Sequence, residues 1–306
     1  MRIPRSVTRA VAGVGASAVA ALAWGALVER RWFALRRTTV PGLRPTALGP
    51  LRILHLSDLH LLPGQDDKIA FVRRCLDMRP DLVVCTGDVL GHADVVEDAI
   101  AALALPDGVP GVFVLGSNDF YGPIMKNPLG YFTGPSGLPE GPERRLDTRR
   151  LVDGLVNAGW TFLDNRRQSI ATPAGPIDLL GLGDPHIHRD HAERLDWQRP
   201  DEAAMRIGVV HAPYRRVLDR FDRAGVDLAM AGHTHGGQVR VPGVGALVSN
   251  CDLPLGASRG LSRYGDDLWL HVSAGLGHSL FAPVRFACRP EATLLDVVSA
   301  PASASD

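Results

Sequence analysis

Short apolar runs alternate with segments of helical periodicity along most of the chain. LRILHL (51–56), DLVVC (81–85), GVFVL (111–115), IDLLGLGD (177–184), MRIGVV (205–210) and DLAMA (227–231) are brief and aliphatic, the pattern of buried strands. Between them, DDKIAFVRRCLDMRP places Ile69, Val72 and Leu76 at helical spacing and stops at Pro80. HADVVEDAIAALAL, LDTRRLVDGLVNAG and residues 214–223 read as further helices. Alternation of strand and helix predicts a layered α/β fold with helices outside the sheets. In the C-terminal part, QVRVP, LWLHVSAG and ATLLDVV carry strand patterns with no helix between them, which predicts a second sheet or an antiparallel edge.

Two segments break this rhythm. Residues 10–28 are free of charge; as a helix rising about 1.5 Å per residue they would nearly cross a hydrocarbon core of about 30 Å. Trp24, Trp32 and Phe33 would then sit toward one interface. Residues 1–37 therefore read as a single-pass membrane anchor in contact with lipid, or as a signal region cleaved near Ala21-Leu22-Ala23. Arg2, Arg5 and Arg9 on one flank nearly balance Arg30, Arg31, Arg36 and Arg37 on the other, so charge does not set the membrane side. TTVPGLRPTALGP (38–50) reads as a linker, 51–298 as the folded domain and 299–306 as a disordered tail. The second segment, 121–143, holds ten Pro or Gly in 23 residues: a lid over an apolar group, or a loop with no role.

Composition narrows the partners. With 33 basic and 33 acidic residues there is no basic excess, and nucleic-acid binding is not expected. The four cysteines show no C-x-x-C spacing, and Cys85 lies inside an apolar run, as a buried thiol would.

The chemistry gathers at the carboxyl ends of the predicted strands, where layered α/β proteins bind their ligands. There stand Asp58 and His60, Asp88, Asn118 and Asp119, His211, and finally His233 and His235 in GHTH. A lone histidine at a strand end is more often a structural residue than a ligand. A run of five such motifs in this order reads as a metal site. Mixed carboxylate, amide and imidazole donors suit Mn, Fe or Zn better than an all-oxygen calcium site.

DLH, GD at 87–88, GSND, VVHAP and GHTH together resemble the calcineurin-like metallophosphoesterases, over about 51–298. GHTHGGQVRVP and the C-terminal strands resemble the membrane-associated bacterial subgroup, which includes phosphoesterases of the YkuE type and some UDP-diacylglucosamine hydrolases. The resemblance implies a four-layer α/β/β/α sandwich and two divalent metal ions. Asp58, His60 and His235 would hold one, Asn118, His211 and His233 the other, with Asp88 bridging. Hydroxide between the metals would attack a phosphate ester in line, cleaving a phosphodiester or pyrophosphate bond. The anchor and the apolar loop point to a lipid-linked or nucleotide-sugar substrate. A phosphomonoesterase with the same centre, and a membrane-tethered scaffold that binds metal without catalysis, are the alternatives.

Two departures stand out. Asp119 occupies the place where the family often has a histidine that assists the leaving group, so Asp119 is a candidate acid, with His278 or His92 as substitutes. The second Asp of the family's G-D-x-x-D is missing from GDVLG. His186, His188 and His191 in GLGDPHIHRDH either line the substrate side or form a solvated loop.

Overall fold

The apolar runs assemble into two six-stranded sheets packed face to face. A computed structural model describes residues 5–41, 50–123, 145–278 and 281–298. The first sheet runs β1 (Ala34–Val40), β14 (Glu291–Val297), β2 (Leu51–Leu56), β3 (Leu82–Cys85), β4 (Gly111–Phe113) and β5 (Trp160–Phe162). Strands β2 to β5 are parallel, β14 is antiparallel to β2, and β1 is parallel to β14. The second runs β12 (Gly260–Tyr264), β13 (Leu268–Val272), β9 (Leu228–Ala231), β8 (Met205–Val209), β7 (Gly175–Gly181) and β6 (Arg166–Thr172). Its centre is parallel, and β12 and β6 add antiparallel edges. The expected C-terminal strands thus divide: β13 joins the second sheet, where β12, absent from the sequence reading, forms the edge, and β14 returns to the first. QVRVP contributes only a small hairpin, β10 (Arg240–Val241) with β11 (Gly245–Ala246).

Period-two alternation sorts each strand's side chains between two cores. Ile53, Leu82, Val84, Val112 and Val114 meet Ile177, Leu179, Ile207, Val209, Leu228 and Met230 between the sheets. Leu54, Leu56, Val83, Cys85 and Phe113 face outward onto α2 (Asp66–Leu76), α3 (Val96–Ala102) and α5 (Thr148–Asn157); a single turn, α4 (Ser117–Phe120), lies between the last two in the chain. Leu180, Ala229, Ala231 and Leu270 pack on α6 (Arg215–Arg223) through Val217, Leu218 and Phe221. The result is the expected α/β/β/α layering. Each fully buried aliphatic side chain contributes roughly 1.5–3 kcal/mol. All four cysteines are buried and free.

The N-terminal region departs from expectation in two places. Helix α1 spans Arg5–Leu27, and among the described residues no helix is long and apolar enough to cross a membrane. Its C-terminal end is fastened to the domain. The Glu29 carboxylate is buried and accepts the N–H groups of Ala287 (3.0 Å) and Cys288 (2.7 Å), while Arg285 N donates to Gly25 O (3.2 Å). Phe33, expected at a lipid interface, instead stacks on Phe71 of α2 with centroids 5.3 Å apart. Residues 34–40, assigned from sequence to the anchor and linker, form strand β1. Arg36 of that strand and Arg259 share the buried carboxylate of Glu291, and Pro41, which has no N–H to give a ladder, follows its last residue. Residues 42–49, most of the 121–143 loop and the 299–306 tail lie outside the described residues.

Lys68 of α2 is buried and donates from Nζ to Leu59 O at 2.6 Å. Burial, with Arg285 nearby, lowers its pKa to about 7. The unfolded chain then binds more protons between pH 7 and the usual lysine pKa near 10, so this residue's contribution to stability rises with pH in that window. Relative to Lys68→Met, the native chain is expected to gain about 1.4 kcal/mol per pH unit from pH 7 toward 10, measured by denaturant titration. A flat difference would show that Lys68 stays charged.

Candidate metal centre

Each of the seven sequence-predicted ligands stands just past the carboxyl end of a strand. Asp58 and His60 follow β2, Asp88 follows β3, Asn118 follows β4, His211 follows β8, and His233 and His235 follow β9. To bring these side chains back over the strand ends the chain must turn at once. Asp58, His60, Asp88, His233 and His235 accordingly take positive φ (48°, 39°, 53°, 67° and 50°), a region that costs non-glycine residues energy and concentrates at functional sites. Two glycines keep the space clear. A Cβ on Gly232 would sit 1.9 Å from Ser57 Oγ and 2.4 Å from Asp58 Oδ2, and one on Gly116 would sit 2.2 Å from Asp88 Oδ1.

The donor atoms converge from both sheets. Asp58, His60 and His235 offer ligand atoms within 4.8 Å of one another, as do Asp58, Asp88 and His211. His60 Nε2 faces His235 Nε2 at 3.2 Å, and His233 Nδ1 faces His211 Nε2 at 3.3 Å. Asp88 Oδ2 lies 3.4 Å from His60 Nε2 and 3.4 Å from His211 Nε2. Asn118 donates its backbone N–H to Asp88 Oδ1 (2.8 Å) and its amide to Asp88 Oδ2 (2.7 Å).

Hydrogen bonds behind the ligands set which ring nitrogen faces the cluster. His211 Nδ1 donates to Thr86 O at 2.7 Å, and His233 Nε2 donates to Asn250 O at 3.0 Å. Burial lowers His60 to about 4 and takes His233 and His235 well below the usual range, so all three are neutral and present lone pairs. His211 goes the other way: burial works against its charge, but Asp88 and Asp184 outweigh it and hold the pKa well above the ordinary value. Burial raises the Asp58 carboxyl to about 6 and that of Asp184 to about 7. A divalent cation would neutralise this buried negative charge, and the donor set of carboxylate, amide and imidazole fits one.

Asp119 does something else. Its two oxygens accept four backbone N–H groups, from Asp88 (2.8 Å), Val89 (2.7 Å), Leu90 (3.0 Å) and Gly116 (3.0 Å), and the residue is fully buried. These bonds tie the turn after β3 to the turn after β4, while burial and the neighbouring Asp88 push the Asp119 carboxyl up to about 7. His278 is buried and follows Gly277, whose N–H donates to Asp58 O at 2.5 Å. His92 lies outside the cluster: its Nδ1 accepts Asp94 N and caps a short helical turn. The GLGDPHIHRDH histidines separate. His186 stands at the site, its ring 4.6 Å from that of His233 and its Nδ1 3.0 Å from Tyr214 Oη; His188 is exposed; His191 pairs with Glu193.

Sequence reasoning missed Asn250, Tyr214, Asp184 and Arg285. Arg285 is fully buried, donates to Ala274 O (2.7 Å) and lies 3.3 Å from His235 Nδ1. Asn250 sits in a segment with no strand or helix pattern, and nothing local marks it. An arginine in an apolar stretch such as FAPVRFAC was the one available signal.

The family model described as calcineurin-like phosphoesterase matches residues 51–237, more than half of the chain. The chain belongs to the calcineurin-like phosphoesterase family. It is a metal-dependent phosphoesterase, a hydrolase. Among curated relatives it is 29% identical to phosphodiesterase YaeI of Escherichia coli (strain K12), over 88% of this chain and 90% of that protein. It is 26% identical to the uncharacterized metallophosphoesterase YkuE of Bacillus subtilis (strain 168), over 86% of this chain and 84% of that protein. Among solved structures, the phosphopantetheinyl hydrolase PptH of Mycobacterium tuberculosis aligns at 14% identity and a TM-score of 0.46, covering 87% of this chain and 100% of that one.

The clamp at Asp119 is testable in this phosphoesterase. Asp119→Asn turns an NH₂ toward backbone donors and is expected to destabilise the fold by about 3–5 kcal/mol, read from chemical denaturation. A change below about 1 kcal/mol would show that the four bonds do not hold the two turns.

Proposed function

We propose that this phosphoesterase uses two metal ions to hydrolyse a phosphodiester or pyrophosphate bond. The observation that carries the proposal is Asp88 Oδ2, one carboxylate oxygen equidistant from the imidazoles of both clusters. Asp58, His60 and His235 would hold one cation and Asn118, His211 and His233 the other, of Mn, Fe or Zn type, with Asp88 between them. When bound, such a pair supplies an activated water and neutralises charge on the phosphoryl oxygens. The chain's part is to present His60, His233 and His235 as neutral imidazoles, to hold Asp88 ionised between its donors and to fix both turns through Asp119. His211 would give up its extra ring proton on binding a cation. With Asp119 committed to the backbone, His278 and His186 are the imidazoles left to protonate the leaving oxygen.

A substrate carrying a second anionic group fits the surroundings. A cavity of about 700 Å³ is lined by Phe120, Asp164, Arg149, Arg166, Arg189 and Arg194, and it includes Leu115 and Phe120 from either side of the Asn118 turn. A nucleotide-sugar or lipid-linked pyrophosphate meets that description. Membrane attachment through α1 belongs to the same reading, supported by the outward-facing Val19, Leu22, Trp24 and Leu27.

The test uses the full chain loaded with Mn²⁺ against bis(p-nitrophenyl) phosphate and p-nitrophenyl phosphate. Native protein is expected to bind two equivalents of metal and to prefer the diester. Asp88→Asn and His235→Ala are each expected to lose more than about 100-fold in turnover, beyond what residues that only support ligands cost. One equivalent of metal would overturn the dinuclear reading, and a monoester preference would make the protein a phosphomonoesterase.

A further inference from the structure

Two histidines occupy positions where the strand pattern calls for apolar side chains. On β2, Ile53 faces the layer between the sheets and Leu54 and Leu56 face the helices, so His55 falls on the inner face. On β13, Leu268, Leu270 and Val272 face α6, so His271 also points inward, next to Trp269, which packs on the same inner core. Both are buried to within 1% exposure. Their rings meet across the sandwich, Nδ1 to Nδ1 at 2.8 Å. A polar group in such a layer costs about 2–7 kcal/mol unless hydrogen bonds satisfy it.

From this pair a continuous path leads to Asp58. His55 Nε2 lies 3.0 Å from Thr86 Oγ1, Thr86 Oγ1 donates to Ser57 Oγ at 2.6 Å, and Ser57 Oγ donates to Asp58 Oδ2 at 2.5 Å. The direction of every bond follows from proton counting. A carboxylate can only accept, so Ser57 donates to it. Ser57 has then spent its one hydroxyl proton and must accept from Thr86, which in turn must accept from His55 Nε2–H. Burial and the neighbouring His271 keep His55 neutral, so its Nδ1 is a lone pair and accepts from His271 Nδ1–H. A chain running the other way would need a proton on Asp58.

We infer that His271, His55, Thr86 and Ser57 form a one-directional hydrogen-bond chain across the two sheets that holds Asp58 Oδ2 as an acceptor, making them positioning residues for metal binding. This rests on the reading of Asp58 as a metal ligand. Thr86 is the junction: its hydroxyl serves the Asp58 side while its carbonyl accepts from His211 Nδ1 at 2.7 Å. The chain therefore ties one ligand from each sheet to a single residue.

Two measurements test it on the full-length protein. The first reads tautomers by ¹⁵N NMR of the imidazoles, assigned with His55→Gln and His271→Gln. His55 is expected as the Nε2–H form and His271 as the Nδ1–H form, and either opposite tautomer overturns the chain whether or not metal binds. The second is Mn²⁺ affinity by titration calorimetry. Thr86→Val, which keeps the backbone carbonyl and the side-chain shape, is expected to weaken binding about 10–100-fold, with Thr86→Ser restoring it. Native-like affinity in Thr86→Val would overturn the positioning role. Failure of the native chain to bind Mn²⁺ would instead overturn the assignment of Asp58 as a ligand and with it the role inferred here.

Discussion

The carboxylate of Asp88 is the constraint around which the site is arranged. It is buried, it accepts two N–H groups of Asn118, and one of its oxygens faces an imidazole of each cluster. An ionised group in that position is tolerable only if positive charge and donors surround it. Much of the neighbourhood does that work: His60 and His211 face it, Asn118 turns its donors inward, and the turn of Asp88 itself is held by Asp119. A phosphoesterase of this family needs such concentrated negative charge to hold its cations.

Gathering the charge at one place has a structural cost. Five of the candidate ligands sit in the left-handed region, and several carboxylates are pushed toward protonation by burial. Two apolar layers outside the sheets and one between them supply the stabilisation that offsets it. Strain is placed where strands end, because there the backbone is released from the ladder and can turn. The ladder itself remains regular and carries no functional side chain of the cluster. The exceptions inside the strands are His55 and His271, and they are linked to the site by hydrogen bonds.

The N-terminal segment is joined to the same machinery through the loop 285–288. Glu29 takes two backbone N–H groups of that loop, and Arg285 within it reaches His235 and the carbonyls of Ala274 and Gly277. The end of α1 therefore packs on the domain rather than trailing from it. Strand β1 continues this by pairing with β14 along its whole length.

How much of this was legible in the chain follows from which forces are local. Alternating apolar runs and helical spacing are local properties, so the α/β layering, the central strands and the helices at 66–76, 148–157 and 215–223 could be read directly. The candidate ligands could be picked out because each stands in a short polar motif just after an apolar run. Strand β1 was not: Ala34–Val40 carries four consecutive polar residues, 36–39, with no alternation, and becomes a strand only because β14 offers it an edge and Glu291 a partner for Arg36. Asp119 was read as a possible acid because it stands where the family often has a histidine; the four N–H groups that fold around it come from two separate turns and were not legible. The Asn250 carbonyl, the buried Arg285 and the His55–His271 pair depend on contacts between residues far apart in the chain. The sequence by itself determined which side chains could do metal chemistry and where strands would deliver them. Only the tertiary structure decided which of them face one another, because hydrogen-bond direction and charge balance are properties of the assembled site.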